Sequence, residues 1–147
     1  MSSYRRVLLV LDLNQDSVTV GQRARQLATA AGAEVELLHV VEFVPVEPMG
    51  ETIMPAVQIE NELLERAGAR LRAMATELGM PDAVCHVEAG NVKSEIVRVA
   101  RDRHADLIVL GSRERHGLSI LVNLTEDTVL HAAPCDVLAV RVGPPQK

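Results

Sequence analysis

The sequence has almost no aromatic residues: among 147 residues there is no Trp, one Tyr and one Phe. Hydrophobic residues still make up 48% of the chain, so we expect an aliphatic core built chiefly from Val, Leu and Ala. The aromatic platforms on which nucleic-acid bases stack are missing. The net charge of -5 also excludes the basic surface that binds nucleic acid or an anionic membrane. We therefore predict that neither nucleic acid nor a membrane is a partner.

Long hydrophobic runs and paired cysteines are absent as well. No apolar run reaches the ~20 residues that a membrane-spanning helix needs. Asp12 interrupts the first run, from Val7 to Leu11, before it reaches the length of a signal peptide. Cys85 and Cys135 are far apart and lie in or beside apolar segments, which favours inert core thiols over redox sensors. These features predict a reduced, cytoplasmic protein.

Motifs that carry metal or nucleophilic chemistry are missing too. The five histidines show none of the spacings of a metal site, and there is no Gly-x-Ser-x-Gly motif. The first apolar run is not followed by the Gly-x-Gly-x-x-Gly pattern of dinucleotide-binding domains. We predict no metal site and no catalytic residues. In the second strand-like run, we interpret His39 as a half-buried histidine whose hydrogen bonds are satisfied.

The chain alternates between strand-like and helix-like patterns. A continuous apolar run typical of a strand buried on both faces occupies residues 7–11, further strand patterns occupy 35–41, 106–110 and 137–140, and a weak alternation typical of an edge strand occupies 84–88. Apolar residues at helical spacing occupy 20–31, 59–78, 96–100 and 124–132. Asp16 or Ser17 is a candidate cap of the first helix, which Gly32 ends, and Asn91 is a candidate cap of the third. On the longest helix, Ile59 and Leu63 begin the predicted apolar face.

This alternation predicts one α/β domain over residues 1–147, a doubly wound parallel sheet with helices on both faces. We expect an ordered core from about 4 to 142, an irregular excursion over 42–55 and a frayed tail over 143–147. The switch point between the first and fourth strands brings Asp12 and Gly111 side by side at the carboxyl ends of the strands, where such sheets bind ligands.

The segment from Gly111 to Gly117 follows the fourth apolar run and reads Gly-Ser-Arg-Glu-Arg-His-Gly. A glycine-bearing loop between a strand and a helix can hold phosphate with its backbone amides. Glu114 argues against that use, because it places a carboxylate where the phosphate would lie.

Four segments resemble the universal stress protein family: residues 7–12, 37–40, 106–112 and 131–141, the last preceded by Arg-His-Gly-Leu-Ser at 115–119. The resemblance runs from about Tyr4 to Val142. It implies a five-stranded sheet of order 3-2-1-4-5 and a homodimer that pairs the last strands, here Val137, Leu138, Ala139, Val140 and Arg141. Such pairing would also protect an apolar sheet edge from aggregation. The protein partners of the dimer stay unknown.

Members of this family that bind ATP carry glycine, two residues, glycine, eight or nine residues, then Gly-Ser or Gly-Thr. Here the first position is Gly111, the second is Glu114, and the third falls on Asn123 or Leu124. The hydroxyl position then falls on Leu124 or Thr125. Asn123 followed by Glu126 also resembles a capping box, which would occupy the helix amides. The resemblance therefore implies loss of tight ATP binding and no bound cofactor.

An altered nucleotide site is the alternative. Asp12 and Val40 match positions that line the adenosine pocket of ATP-binding relatives, and Arg113, Arg115 and His116 offer cationic contacts to ATP or AMP. The residues of this vestigial or altered site are Asp12, Leu13, Val40, Gly111, Ser112, Arg113, Glu114, Gly117, Asn123, Leu124 and Thr125. A slow ATPase on this fold would rest on analogy alone.

Overall fold

A computed structural model describes residues 4–42, 54–113, 129 and 131–142, with the side chains of 54–58 and of Arg113 outside that description. The elements are β1 (Arg6–Val10), α1 (Ser17–Ala31), β2 (Glu34–Val41), α2 (Met54–Glu77), β3 (Val84–Ala89), α3 (Val92–Asp102), β4 (Leu107–Arg113) and β5 (Asp136–Val142). Strands and helices alternate as the sequence predicts. None of the helices in the described ranges is long and apolar enough to cross a membrane.

The five strands form one parallel sheet of order β3-β2-β1-β4-β5, which confirms the predicted α/β fold. The register places Leu9 of the central strand β1 beside Leu37 of β2 on one side and Val109 of β4 on the other. Parallel neighbours require crossover connections: α1 lies in the connection from β1 to β2, and α2 lies in the connection from β2 to β3.

Aliphatic side chains fill both faces of the sheet, as the composition predicts. On one face Leu9 and Leu37 pack with Ala24 of α1 and Leu71 of α2. On the other face the alternate residues of the strands, including Leu8, Leu38 and Ile108, pack with Ile96 and Ala100 of α3. Each fully buried Leu or Ile contributes about 2 kcal/mol relative to an exposed one, so this double layer is the main source of stability.

The long helix α2 differs from its prediction at its first half. It begins at Met54, so the last two residues of the predicted irregular excursion are helical. Ile59 and Leu63 are exposed by 52% and 39%, and the prediction that they begin the buried face is wrong. Residues 43–53 of the excursion and the tail 143–147 lie outside the described residues, as does most of the predicted last helix, of which Val129 and 131–132 are helical.

Two of the three predicted helix ends are confirmed. Asn91 caps α3, because its side chain accepts a hydrogen bond from the Ser94 amide at 3.0 Å. Gly32 ends α1 with a positive φ of 69°, a conformation that favours glycine. Asp16 occupies the N-cap position of α1 but its side chain makes no capping hydrogen bond to the helix. Instead, the Asn14 side chain accepts from the Asp16 amide at 2.9 Å.

Candidate functional site at the carboxyl ends of the strands

The topology brings the two central parts of the predicted site together. Strands β1 and β4 are parallel neighbours, with Leu9 beside Val109. Asp12 follows β1 and Gly111 lies near the end of β4, so both belong to the carboxyl edge of the sheet, at the predicted switch point. Asp12 is exposed at this edge, whereas Val40 on β2 is buried.

Gly111 does not open a loop as the sequence suggested, because β4 continues to Arg113. Gly111 pairs with Val140 of β5, and Ser112 pairs with Arg141. A Cβ on Gly111 would stand 3.1 Å from a methyl carbon of Val20 on α1. That distance is tighter than an ordinary van der Waals contact, so the glycine allows α1 to approach β4 closely.

Several candidate residues fall outside the described residues. They are Glu114, Arg115, His116, Gly117, Asn123, Leu124 and Thr125, and the side chain of Arg113 belongs with them. The part of the site that the structure describes is therefore the β1–α1 connection, the ends of β2 and β4, and the residues that contact them.

The β1–α1 connection is held by two side chains that come from other elements. His39 of β2 has its Nδ1 atom 2.7 Å from the Leu11 carbonyl oxygen. Since a carbonyl only accepts, this ring nitrogen carries the proton. The prediction that His39 is half-buried is confirmed, and its Nδ1 atom has a hydrogen-bond partner. Arg70 of α2 donates from Nη2 to the carbonyl oxygen of Leu13, a residue with a positive φ of 62°.

A second polar cluster, which the sequence does not reveal, lies at the amino-terminal ends of the strands. Glu36, near the start of β2, is buried, and its Oε1 accepts from Arg103 Nε and His86 Nε2, each at 2.8 Å. Its Oε2 accepts from Arg103 Nη2 at 3.2 Å and lies 3.3 Å from Arg6 Nε. Burial raises the pKa of Glu36, but the hydrogen bonds and charges of Arg103 and His86 outweigh it and lower the pKa overall.

The two thiols lie in apolar surroundings. Burial raises the pKa of Cys85 against the opposing charge of Arg72. Burial, followed by the charges of Asp136 and Asp106, raises the pKa of Cys135. Within the described ranges, no group of three or more His, Cys, Asp or Glu side chains has an arrangement that could hold a metal ion.

Comparison with known proteins gives the same family along nearly the whole chain. The sequence model of the universal stress protein family matches residues 3–141. Universal stress protein A homolog 2 of Coxiella burnetii is 35% identical over 144 residues, covering 97% of this chain and 98% of the relative. Universal stress protein A homolog 1 of the same organism is 33% identical, covering 93% of this chain and 96% of the relative.

Solved structures share the fold. Universal stress protein UspA from Lactobacillus plantarum has a TM-score of 0.71 at 22% identity, covering 94% of this chain and 98% of that one. A universal stress protein solved in complex with cAMP has a TM-score of 0.67 at 22% identity, covering 97% of this chain and all of that one. With the match over residues 3–141 and the relative at 35% identity, these comparisons show that the chain belongs to the universal stress protein family, for which a stress-response role is supported at family level.

Proposed function

We propose that this protein is a cytoplasmic, homodimeric stress-response module that regulates or protects through protein contacts and does not hold ATP tightly. The observation that carries the proposal is that two of the three glycines in the phosphate-binding pattern of ATP-binding relatives are replaced in this chain. Only Gly111 is present; Glu114 stands at the second position, and Asn123 or Leu124 at the third.

The remaining glycine has a packing role that needs no phosphate. Gly111 lies within β4, and a Cβ at this position would stand 3.1 Å from a methyl carbon of Val20 on α1, closer than most such contacts. A glycine kept for helix packing is compatible with a vacant nucleotide site. This geometry supports the proposal from the described side of the site.

Electrostatics at the second position also supports the proposal. A carboxylate 5–6 Å from one phosphate charge costs about 3 kcal/mol at an effective dielectric constant of about 20, before salt screening. ATP carries several such charges on its phosphates, so Glu114 disfavours the triphosphate most strongly. Glu126 and Asp127 follow in the sequence and add negative charge at the start of the predicted last helix.

Restoring the glycines tests this interpretation. We expect the triple variant Glu114→Gly, Asn123→Gly, Leu124→Ser to bind ATP at least tenfold more tightly than the wild-type protein by isothermal titration calorimetry. The control is the single change Glu62→Gln, which removes an exposed carboxylate of α2 outside the loop. If the triple variant and the wild-type protein have the same ATP affinity, the loop does not explain the loss.

A second candidate function is binding of a nucleoside monophosphate or ATP at an altered site. It is favoured by the exposed Asp12 at the carboxyl edge beside β4, and by Arg113, Arg115 and His116, which follow in sequence. A solved protein of the same fold was crystallised with cAMP. Titration with AMP separates the two candidates. AMP carries fewer negative charges than ATP, so Glu114 repels it less strongly. We propose no enzymatic activity; turnover of ATP that disappears in Asp12→Ala would contradict that.

A further inference from the structure

Leu13 has a backbone conformation that L side chains rarely adopt. Its φ is +62°, and the residue is only 6% exposed. Asp12 and Asn14, the residues on either side, are of the types that tolerate the left-handed region better than leucine does. The unusual conformation therefore falls on the least suitable of the three residues, and its surroundings must maintain it.

Two features maintain this turn. The Leu13 side chain belongs to the apolar layer that includes Val20 of α1 and Leu71 of α2. The Leu13 carbonyl oxygen accepts a hydrogen bond from the Arg70 guanidinium, which comes from a helix 57 residues further along the chain. Within the described ranges no ion pair links Arg70 to a carboxylate, so this bond is the guanidinium's principal polar contact there.

A second donor fixes the connection on the other side of Asp12. His39 Nδ1 donates to the Leu11 carbonyl oxygen at 2.7 Å, and Arg70 Nη2 donates to the Leu13 carbonyl oxygen. The backbone is thus anchored immediately before and immediately after Asp12. The direction in which Asp12 leaves the sheet depends on both anchors, and only Arg70 is on an element outside the sheet.

We propose that Arg70 is a positioning residue of the candidate site: its bond to the Leu13 carbonyl keeps the left-handed turn that sets the place of Asp12. The inference rests on the second candidate function, the altered nucleotide site, only in assigning Asp12 to the site. The contact also couples the site to α2, because any change that withdraws Arg70 removes the anchor that follows Asp12.

The test compares Arg70→Met with Arg70→Lys and with Arg66→Met, a matched control at an exposed arginine one turn earlier on the same helix. Amide hydrogen exchange is measured by NMR for Asp16 and Ser17, whose amides donate to Asn14 within the connection. Residual dipolar couplings report the backbone orientation at Leu13. We expect Arg70→Met to speed exchange of these amides by about tenfold and to change the Leu13 couplings. Arg70→Lys should restore part of both effects, and Arg66→Met should cause neither.

Unchanged exchange and couplings in Arg70→Met would overturn the inference. A uniform rise in exchange across the whole sheet would overturn it too, because that result indicates a general loss of stability. Both measurements use the ligand-free protein, so their outcome is independent of whether any nucleotide binds. A parallel titration with AMP then tests the altered-site alternative alone. If the wild-type protein does not bind AMP, that alternative is wrong. The exchange data still decide whether Arg70 positions the β1–α1 connection.

Discussion

Arg103 holds the buried carboxylate of Glu36 with two hydrogen bonds, from Nε to Oε1 at 2.8 Å and from Nη2 to Oε2 at 3.2 Å. The side chain of Glu36 is 5% exposed and that of Arg103 is 42% exposed, so the pair reaches from the interior to the surface. Arg6 and His86 contribute further donors from β1 and β3. One carboxylate of β2 is thereby linked to β1, β3 and the end of α3.

Removing the charge of Glu36 should destabilise the fold. Glu36→Gln leaves Arg103 and Arg6 facing a neutral group, and we expect the free energy of unfolding to fall by about 2 kcal/mol. That is less than for a wholly buried pair, because both arginines reach solvent. Urea denaturation at pH 7 measures the change.

Glu34→Gln is the matched control for this prediction. Glu34 is on the same strand, but its side chain is 79% exposed and lies 4.0 Å from Arg6. An exposed pair of this kind contributes under about 1 kcal/mol. Equal losses of unfolding free energy in the two variants would show that the buried cluster contributes no more to stability than an exposed ion pair.

The Glu36 cluster should also make stability depend on pH in acid. The folded pKa of Glu36 lies below its ordinary value of 4.5, since the bonds and charges of Arg103 and His86 outweigh the effect of burial. The ionised group therefore stabilises the fold above about pH 4.5, and this contribution is lost as the pH falls through the lowered pKa. Urea midpoints of the wild-type protein and Glu36→Gln should differ at pH 7 and converge as the pH falls below 4.5 and through the lowered pKa of Glu36. A difference that stays constant over this range would contradict the assignment.

The sequence predicts the fold better than it predicts these side-chain clusters. Apolar runs and helical spacing depend on local periodicity, so all five strands are found near their predicted places. Glu36 looks like an outward residue of an alternating strand, and its partners His86 and Arg103 are 50 and 67 residues away. Arg70 similarly looks like a charge on a solvated helix face. No local pattern indicates contacts at such separations.

The boundary of β4 shows the same limit. Gly111 suggests the start of a loop when only neighbouring residues are considered. In the sheet, pairing with Val140 continues the strand through it and on to Arg113, and Val20 takes the space of the missing side chain. Strand pairing and helix packing, both tertiary effects, override the local preference.

The two thiols should react slowly in the folded protein. The pKa values of Cys85 and Cys135 are raised, chiefly by burial, so the reactive thiolate is scarce near neutral pH. We expect the reaction with a thiol reagent such as dithiobis(nitrobenzoate) at pH 7.5 to be at least tenfold slower in the native than in the unfolded protein. Single variants Cys85→Ser and Cys135→Ser assign the rates. A native thiol that reacts as fast as the unfolded one would identify an accessible, activated cysteine.

The proposed dimer interface is tested at Ala139 of the edge strand β5. Ala139 is exposed, so Ala139→Asp should preserve the subunit fold and give monomers by sedimentation velocity. Leu138 packs partly against the core, and we expect Leu138→Asp to give monomers or insoluble protein. Val84→Asp is the control, because Val84 is 48% exposed on the opposite edge strand, β3. A dimer that survives Ala139→Asp and dissociates in Val84→Asp would place the interface at the other edge.

The most direct test of the proposed function is a calorimetric titration of the wild-type protein with ATP and magnesium at physiological ionic strength. Glu114 and the missing glycines predict no binding tighter than the millimolar range. Circular dichroism before and after the titration checks that the protein stays folded throughout. A micromolar dissociation constant for ATP would contradict the account.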